Sequence, residues 1–180
     1  MEAASDVDFV TNEGLKMKKI GFWVAGLVVL VGAFFTINWI LSINELPDWK
    51  FTDDASLASA AKAAGFQPSA DVVGFVDNIS RIEPGKVRVA GWAADLSGDG
   101  APITLMVFVN GHGAAFSSTD GSRPDVTAAI KANPKATSDA AKNTSFVSNF
   151  SCAADDKVVV VAITKAKGYG PLTPNQSVCP

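Results

Sequence analysis

Few residues in this chain have the type and spacing that chemistry requires. Asp95-Leu96-Ser97-Gly98-Asp99-Gly100 places oxygen ligands at alternate positions ahead of a glycine, which is how a calcium loop opens. The match then stops, because the position that should supply a bidentate carboxylate is Met106, inside an apolar run. Asp95, Ser97 and Asp99 are therefore an incomplete cation set, and the plainer reading is an Asp/Gly turn between two strands. His112 is the single histidine and sits between Gly111 and Gly113. A triad would need a nucleophile and a carboxylate against its imidazole, whereas a turn flanked by glycines presents it to water. No phosphate loop, dinucleotide fingerprint or metal-ligand spacing accompanies it, so neither a cofactor nor an enzymatic activity is expected. Trp92 has two readings: an indole packed in a core, or a platform on which a sugar ring stacks. Gly91 beside it leaves room for the indole, and Arg123 and Asp125 flank Pro124 where they can pair or cap a helix.

The only cysteines are Cys152 and Cys179. An intrachain disulfide between them closes a loop that the chain-entropy estimate values at about 3 to 4 kcal/mol. Two free thiols or a bond to another chain are the alternatives.

What positions these residues begins with the membrane. Residues 20–43 contain 24 consecutive side chains without a charge, a length of about 36 Å as a helix and enough to span the hydrocarbon with some tilt. The run is longer than a signal-peptide core, and Asn44-Glu45-Leu46 offers no small-residue cleavage site. Lys16, Lys18 and Lys19 precede it, while Glu45, Asp48, Lys50, Asp53 and Asp54 follow, so the N-terminus is expected in the cytoplasm. Trp23 and Trp39 are spaced to meet the two headgroup layers, with Trp49 just beyond. Gly21, Ala25, Gly32 and Thr36 fall within about 60° of one another, a face of small residues on which a second membrane helix can pack closely.

The organisation read from the sequence is thus a cytoplasmic tail (1–19), a transmembrane helix (20–43), a linker and juxtamembrane helix (44–70) and an extracytoplasmic domain (71–180). In the linker, Asp53 or Asp54 can cap a short Ala-rich helix that Gly65 ends, and its composition points to a spacer or docking element. From residue 71 the rhythm becomes β: DVVGFVDNI, KVRVAGWAA, ITLMVFVN, GAAFSST, SFVSNFSC and KVVVVAITKA, with Asn110-Gly111 marking a two-residue hairpin. SRPDVTAAIKANP inserts one helix, started near Pro124 and stopped by Pro134. The expected fold is mainly β, an antiparallel β-sandwich with one inserted helix, preceded by the single transmembrane helix and the short juxtamembrane helix.

The order GFVDNI, VRVAGWAAD, PITLMVFVNG and SRPDV, over residues 74–126, resembles a small β module that recurs in bacterial envelope and glycosyltransferase-associated proteins. The resemblance implies a β-sandwich binding or spacer module at the cell surface with no assigned active site. The anchor, the Ala-rich helix and the cysteine loop have no counterpart in that pattern. With 15 basic against 18 acidic residues and no basic stripe beyond the membrane flank, nucleic acid is not an expected partner. The expectation is a non-catalytic accessory or structural subunit of a bacterial inner-membrane complex, its β domain in the periplasm. Its partners would be the bilayer and other integral membrane proteins, and the alternative is a module binding an envelope glycan.

Overall fold

A computed structural model describes residues 49–180 apart from residue 175. The tail, the expected spanning segment with its Gly21, Ala25, Gly32 and Thr36 face, and the linker up to residue 48 lie outside these residues. Among the described residues no helix is long and apolar enough to cross a membrane.

Alternation of apolar and polar side chains along each strand decides how the sheets face. The strands are β1 (Gln67–Pro68), β2 (Val72–Glu83), β3 (Lys86–Asp95), β4 (Thr104–Val109), β5 (His112–Ser118), β6 (Ser145–Ser151), β7 (Lys157–Ile163), β8 (Gly168–Pro171) and β9 (Ser177–Val178). A larger sheet runs β1-β8-β7-β4-β5, with β9 also paired to β7, and a smaller one runs β2-β3-β6. All pairings are antiparallel except β1 with β8. Val72, Val76, Val87, Val89, Phe146 and Phe150 from the small sheet meet Leu105, Val107, Val158 and Val160 from the large one. Each such side chain, fully buried, contributes about 1.5 to 3 kcal/mol of transfer free energy, so this sandwich-like interior is the main source of stability.

Two backbone links close the sandwich at its edges. Asp120 and Ser145 bridge the strand-β5 side to β6, and Phe75 and Thr173 bridge β2 to the segment after β8. The Cys152–Cys179 disulfide crosses the sheets as well, joining the residue after β6 to the residue after β9. The bridge expected from the sequence is therefore present and ties one sheet to the other rather than only securing the tail.

A helix covers the outer face of each sheet. Helix α1 (Asp54–Ala63) begins with a capping box: Asp53 Oδ1 accepts from Ser56 N at 2.8 Å, and Asp53 N donates to Ser56 Oγ at 3.1 Å. It ends in a Schellman turn, with Phe66 N bonded to Ala61 O, Gly65 N bonded to Lys62 O, and Gly65 at φ +83°. The expected cap and stop are both found, and of the two expected roles, spacer or docking element, the helix is docked on the large sheet. Leu57 and Ala61 are buried with Trp49 and Phe51 against Met106, Phe108, Val161 and Tyr169 of the large sheet. Trp49, read from the sequence as lying near the membrane surface, stacks on Phe108 at 5.8 Å and meets Phe66 edge-on at 5.5 Å. The aromatics on either side of the helix, more than the helix itself, supply the area that docks it.

Helix α2 (Pro124–Lys131) is the inserted helix expected from SRPDVTAAIKANP. Pro124 occupies its first turn, and Val126 and Ile130 are buried against Ala94 and Leu96, beside Val73 and Trp92. The order of layers is helix α1, large sheet, small sheet, helix α2.

Candidate functional site

The outer face of the small sheet is where apolar surface, charge and a covering segment meet. Register places Phe75, Trp92 and Ser145 in one row across β2, β3 and β6, with Asn78, Ala90 and Val147 in the next row. Trp92 is half-buried where it meets the α2 cluster, while Phe75 is 41% exposed and Val147 is 55% exposed. The indole is thus packed in part under α2 and open in part on the outer face. Gly91 plays a different part from the one expected. It points into the interior, where an added Cβ would lie 2.2 Å from Phe75 O and 2.9 Å from the Phe146 ring, so it makes room for that ring rather than for the indole.

The segment leading into α2 is fastened at both edges of this face. At the β6 edge, Asp120 N donates to Ser145 O at 2.8 Å, and Ser145 N to Gly121 O at 3.3 Å. At the β2 edge, the Arg123 guanidinium pairs with Asp77 and also holds Asp125 through two hydrogen bonds, Nη2 to Oδ2 at 2.7 Å and Nε to Oδ1 at 3.3 Å. Asp77 lies in the bulge between Val76 and Asn78, where β2 leaves its register with β3. Arg123 occupies the N-cap position with extended backbone and makes no side-chain cap, so of the two expected roles it takes pairing. The carboxylates of Asp125 and then Asp77 hold the guanidinium firmly protonated, and the Arg123 hydrogen bonds keep the Asp125 carboxyl below the usual carboxylate range. Asp77 and Arg123 both fall in the motifs GFVDNI and SRPDV, but that they pair across 46 positions is visible only once β2 and α2 are packed.

The other sequence candidates lie apart from this face. Asp95 Oδ1 accepts from Ser97 N at 3.1 Å and from Ser97 Oγ at 2.8 Å, and Asp99 Oδ1 accepts from Ala101 N at 3.0 Å. These are Asx turns in which each carboxylate serves its own loop. They line a cleft of about 430 Å³ with Asn143, Thr164 and Lys165. Met106, at the position where a calcium loop needs its last ligand, is 2% exposed under α1. Among the described residues no three His, Cys, Asp or Glu side chains form a metal-holding group. His112 is exposed at the first position of β5, opposite Val109. Asn110 and Gly111 before it have φ of +50° and +79°, the two-residue turn that the Asn-Gly pair predicts.

No family model, curated protein or solved structure matches the chain.

Proposed function

We propose that this chain is a non-catalytic accessory or structural subunit of a bacterial membrane-protein complex. A single helix over residues 20–43 holds it in the inner membrane with its N-terminus in the cytoplasm, and its β-sandwich serves as a periplasmic interaction domain. One observation carries the reading: a 24-residue uncharged run, with lysines before it and acids after it, leads into a domain whose two cysteines are bonded to each other. A run of that length is suited to a bilayer, and a persistent disulfide is suited to the oxidising space beyond it.

The domain's polar groups fit an architectural role. Asp53 caps α1, Asp95 and Asp99 close turns, Asn110 Oδ1 accepts from Lys157 N at 2.9 Å, and Arg123 binds two carboxylates. The resemblance of residues 74–126 to an envelope-associated β module supports the same location. Purification of the tagged chain in a mild detergent tests the proposal. Migration with a stable set of membrane proteins is expected, and migration as a free monomer at native expression level would count against it.

A further inference from the structure

The roof over the small sheet stops at the Phe75–Trp92–Ser145 row, and the next row is left open. At its centre is Ala90, whose side chain is a single methyl, between Asn78 on β2 and Val147 on β6. Two strand spacings separate β2 from β6, so the floor is a shallow trough about 10 Å wide. Its upper wall is formed by Phe75 and the open part of Trp92. Asp77, Arg123 and Asp125 stand on the rim, with side chains 37%, 30% and 66% exposed. Further down the face, Arg88 Nε donates to Asn149 Oδ1 at 3.3 Å.

These features discriminate between occupants. Arg123 is the cation of the rim, and its fork is filled by Asp125 while Asp77 takes its remaining face, so it is not open to a ligand carboxylate. With two carboxylates around one guanidinium the rim beside the aromatics is negative and disfavours an acidic group there, while the exposed Arg88 stands one row below the open row with its Nε on Asn149. An apolar protein patch would cover the aromatics only by stripping water from this ion network without replacing its hydrogen bonds, which is costly. A sugar has both halves of the required chemistry. A pyranose with equatorial substituents offers a flat C–H face to an aromatic ring, and its hydroxyls donate to carboxylate lone pairs that Arg123 leaves unused.

We infer that the trough beside Trp92 binds a neutral glycan of equatorial, glucose-type pyranose units. One ring stacks on Phe75 and Trp92, and its hydroxyls are received by Asp77 and Asp125. The inference uses the periplasmic location proposed above only to bring the domain within reach of envelope polysaccharide. Its failure in a binding assay would leave the topology and the subunit role standing, and the reverse also holds.

The test uses the full chain in nanodiscs, labelled with ¹⁵N at the tryptophan indoles, and titrates cellotetraose, N-acetylated chitotetraose and an oligogalacturonate of equal length to roughly 10 mM, the range of weak single-site sugar binding. A saturable shift of the Trp92 indole signal with one or both neutral sugars, an unmoved Trp49 signal and no response to the acidic oligomer are expected. Because Trp92 also packs under α2, the decisive variant is the exposed Phe75→Ala, which should weaken binding on the order of tenfold, with Val147→Asp weakening it as well. No response from Trp92 with either neutral sugar, affinity unchanged in Phe75→Ala, or preference for the acidic oligomer would overturn the inference. So would a Phe75→Ala chain that loses a co-purifying protein while wild type shows no sugar response, since the trough would then serve a protein.

Discussion

Gly111 and Gly85 form a matched pair that isolates what docks the N-terminal aromatics. Both are the second residue of a turn at nearly the same backbone angle, φ +79° and +74°. An added Cβ at Gly85 meets nothing within 4 Å, whereas at Gly111 it would lie 1.6 Å from Phe51 O and 2.8 Å from Phe51 C. Alanine at either site costs about 1 kcal/mol for the left-handed backbone. At Gly111 the Phe51 carbonyl must also retreat, which breaks the Phe51 N to Gly111 O hydrogen bond of 3.3 Å. That loss is worth about 1 kcal/mol, and partial exposure of Trp49 and Phe51 adds about 1 to 2 kcal/mol. The expected losses are therefore about 1 kcal/mol for Gly85→Ala and about 3 to 4 kcal/mol for Gly111→Ala. Urea unfolding of the chain in nanodiscs gives the global values, and hydrogen-exchange mass spectrometry over residues 49–66 shows where the loss falls. Equal losses in the two variants, or unchanged protection of residues 49–66 in Gly111→Ala, would refute the reasoning.

Replacing Cys152 and Cys179 together with Ala should lower stability by about 3 to 4 kcal/mol and raise exchange at both β6 and β9, as non-reducing peptide mapping and the same urea assay would show. In acid, the carboxyls of Asp125 (bonded to Arg123), Asp139 (bonded to Lys142) and Asp53 (bonded to the Ser56 N–H) titrate below their unfolded value of about 4. Their contribution is complete above that value and is lost as pH falls through the folded values, so stability should hold from neutrality to about pH 5 and fall below about pH 4. Asp125→Asn should flatten part of that acid limb in pH-dependent melts. For topology, a single added cysteine at Ser5 should resist a membrane-impermeant thiol reagent in cells with a permeabilised outer membrane, while one at the exposed Lys135 should react; the opposite pattern would invert the orientation.

The parts of the fold that were legible in the sequence are those set by local rules. Each of the six β-type runs contains a strand, Asn110-Gly111 makes the hairpin, Asp53 and Gly65 bound α1, and Pro124 opens α2. Cysteine counting anticipated the disulfide because only one intrachain pairing was possible. What escaped depends on long-range packing. The short strands β1, β8 and β9 have two to four residues each, too few for a period to show. Trp49 and Phe51 look like a membrane flank until Phe108 is brought beside them. Asp77 stands in the GFVDNI motif, but its partner Arg123 is set only when α2 is packed over β2. The orientation of Trp92 depends on the parity of β3 relative to the core, and Gly91, one residue earlier, takes the inward position.

If the proposed subunit is held partly by the proposed membrane helix, the size and composition of the native complex should change when Gly32 is replaced. Lipid solvates Leu as well as Gly, so Gly32→Leu should insert normally, but its side chain prevents the close approach that helix packing in lipid requires. Gly26→Leu, at about 120° from Gly32 around the helix, is the control. Native gel electrophoresis with mass spectrometry should find Gly32→Leu free of the complex, with wild type and Gly26→Leu retained. Full retention of Gly32→Leu would contradict the claim that this helix face holds the partner.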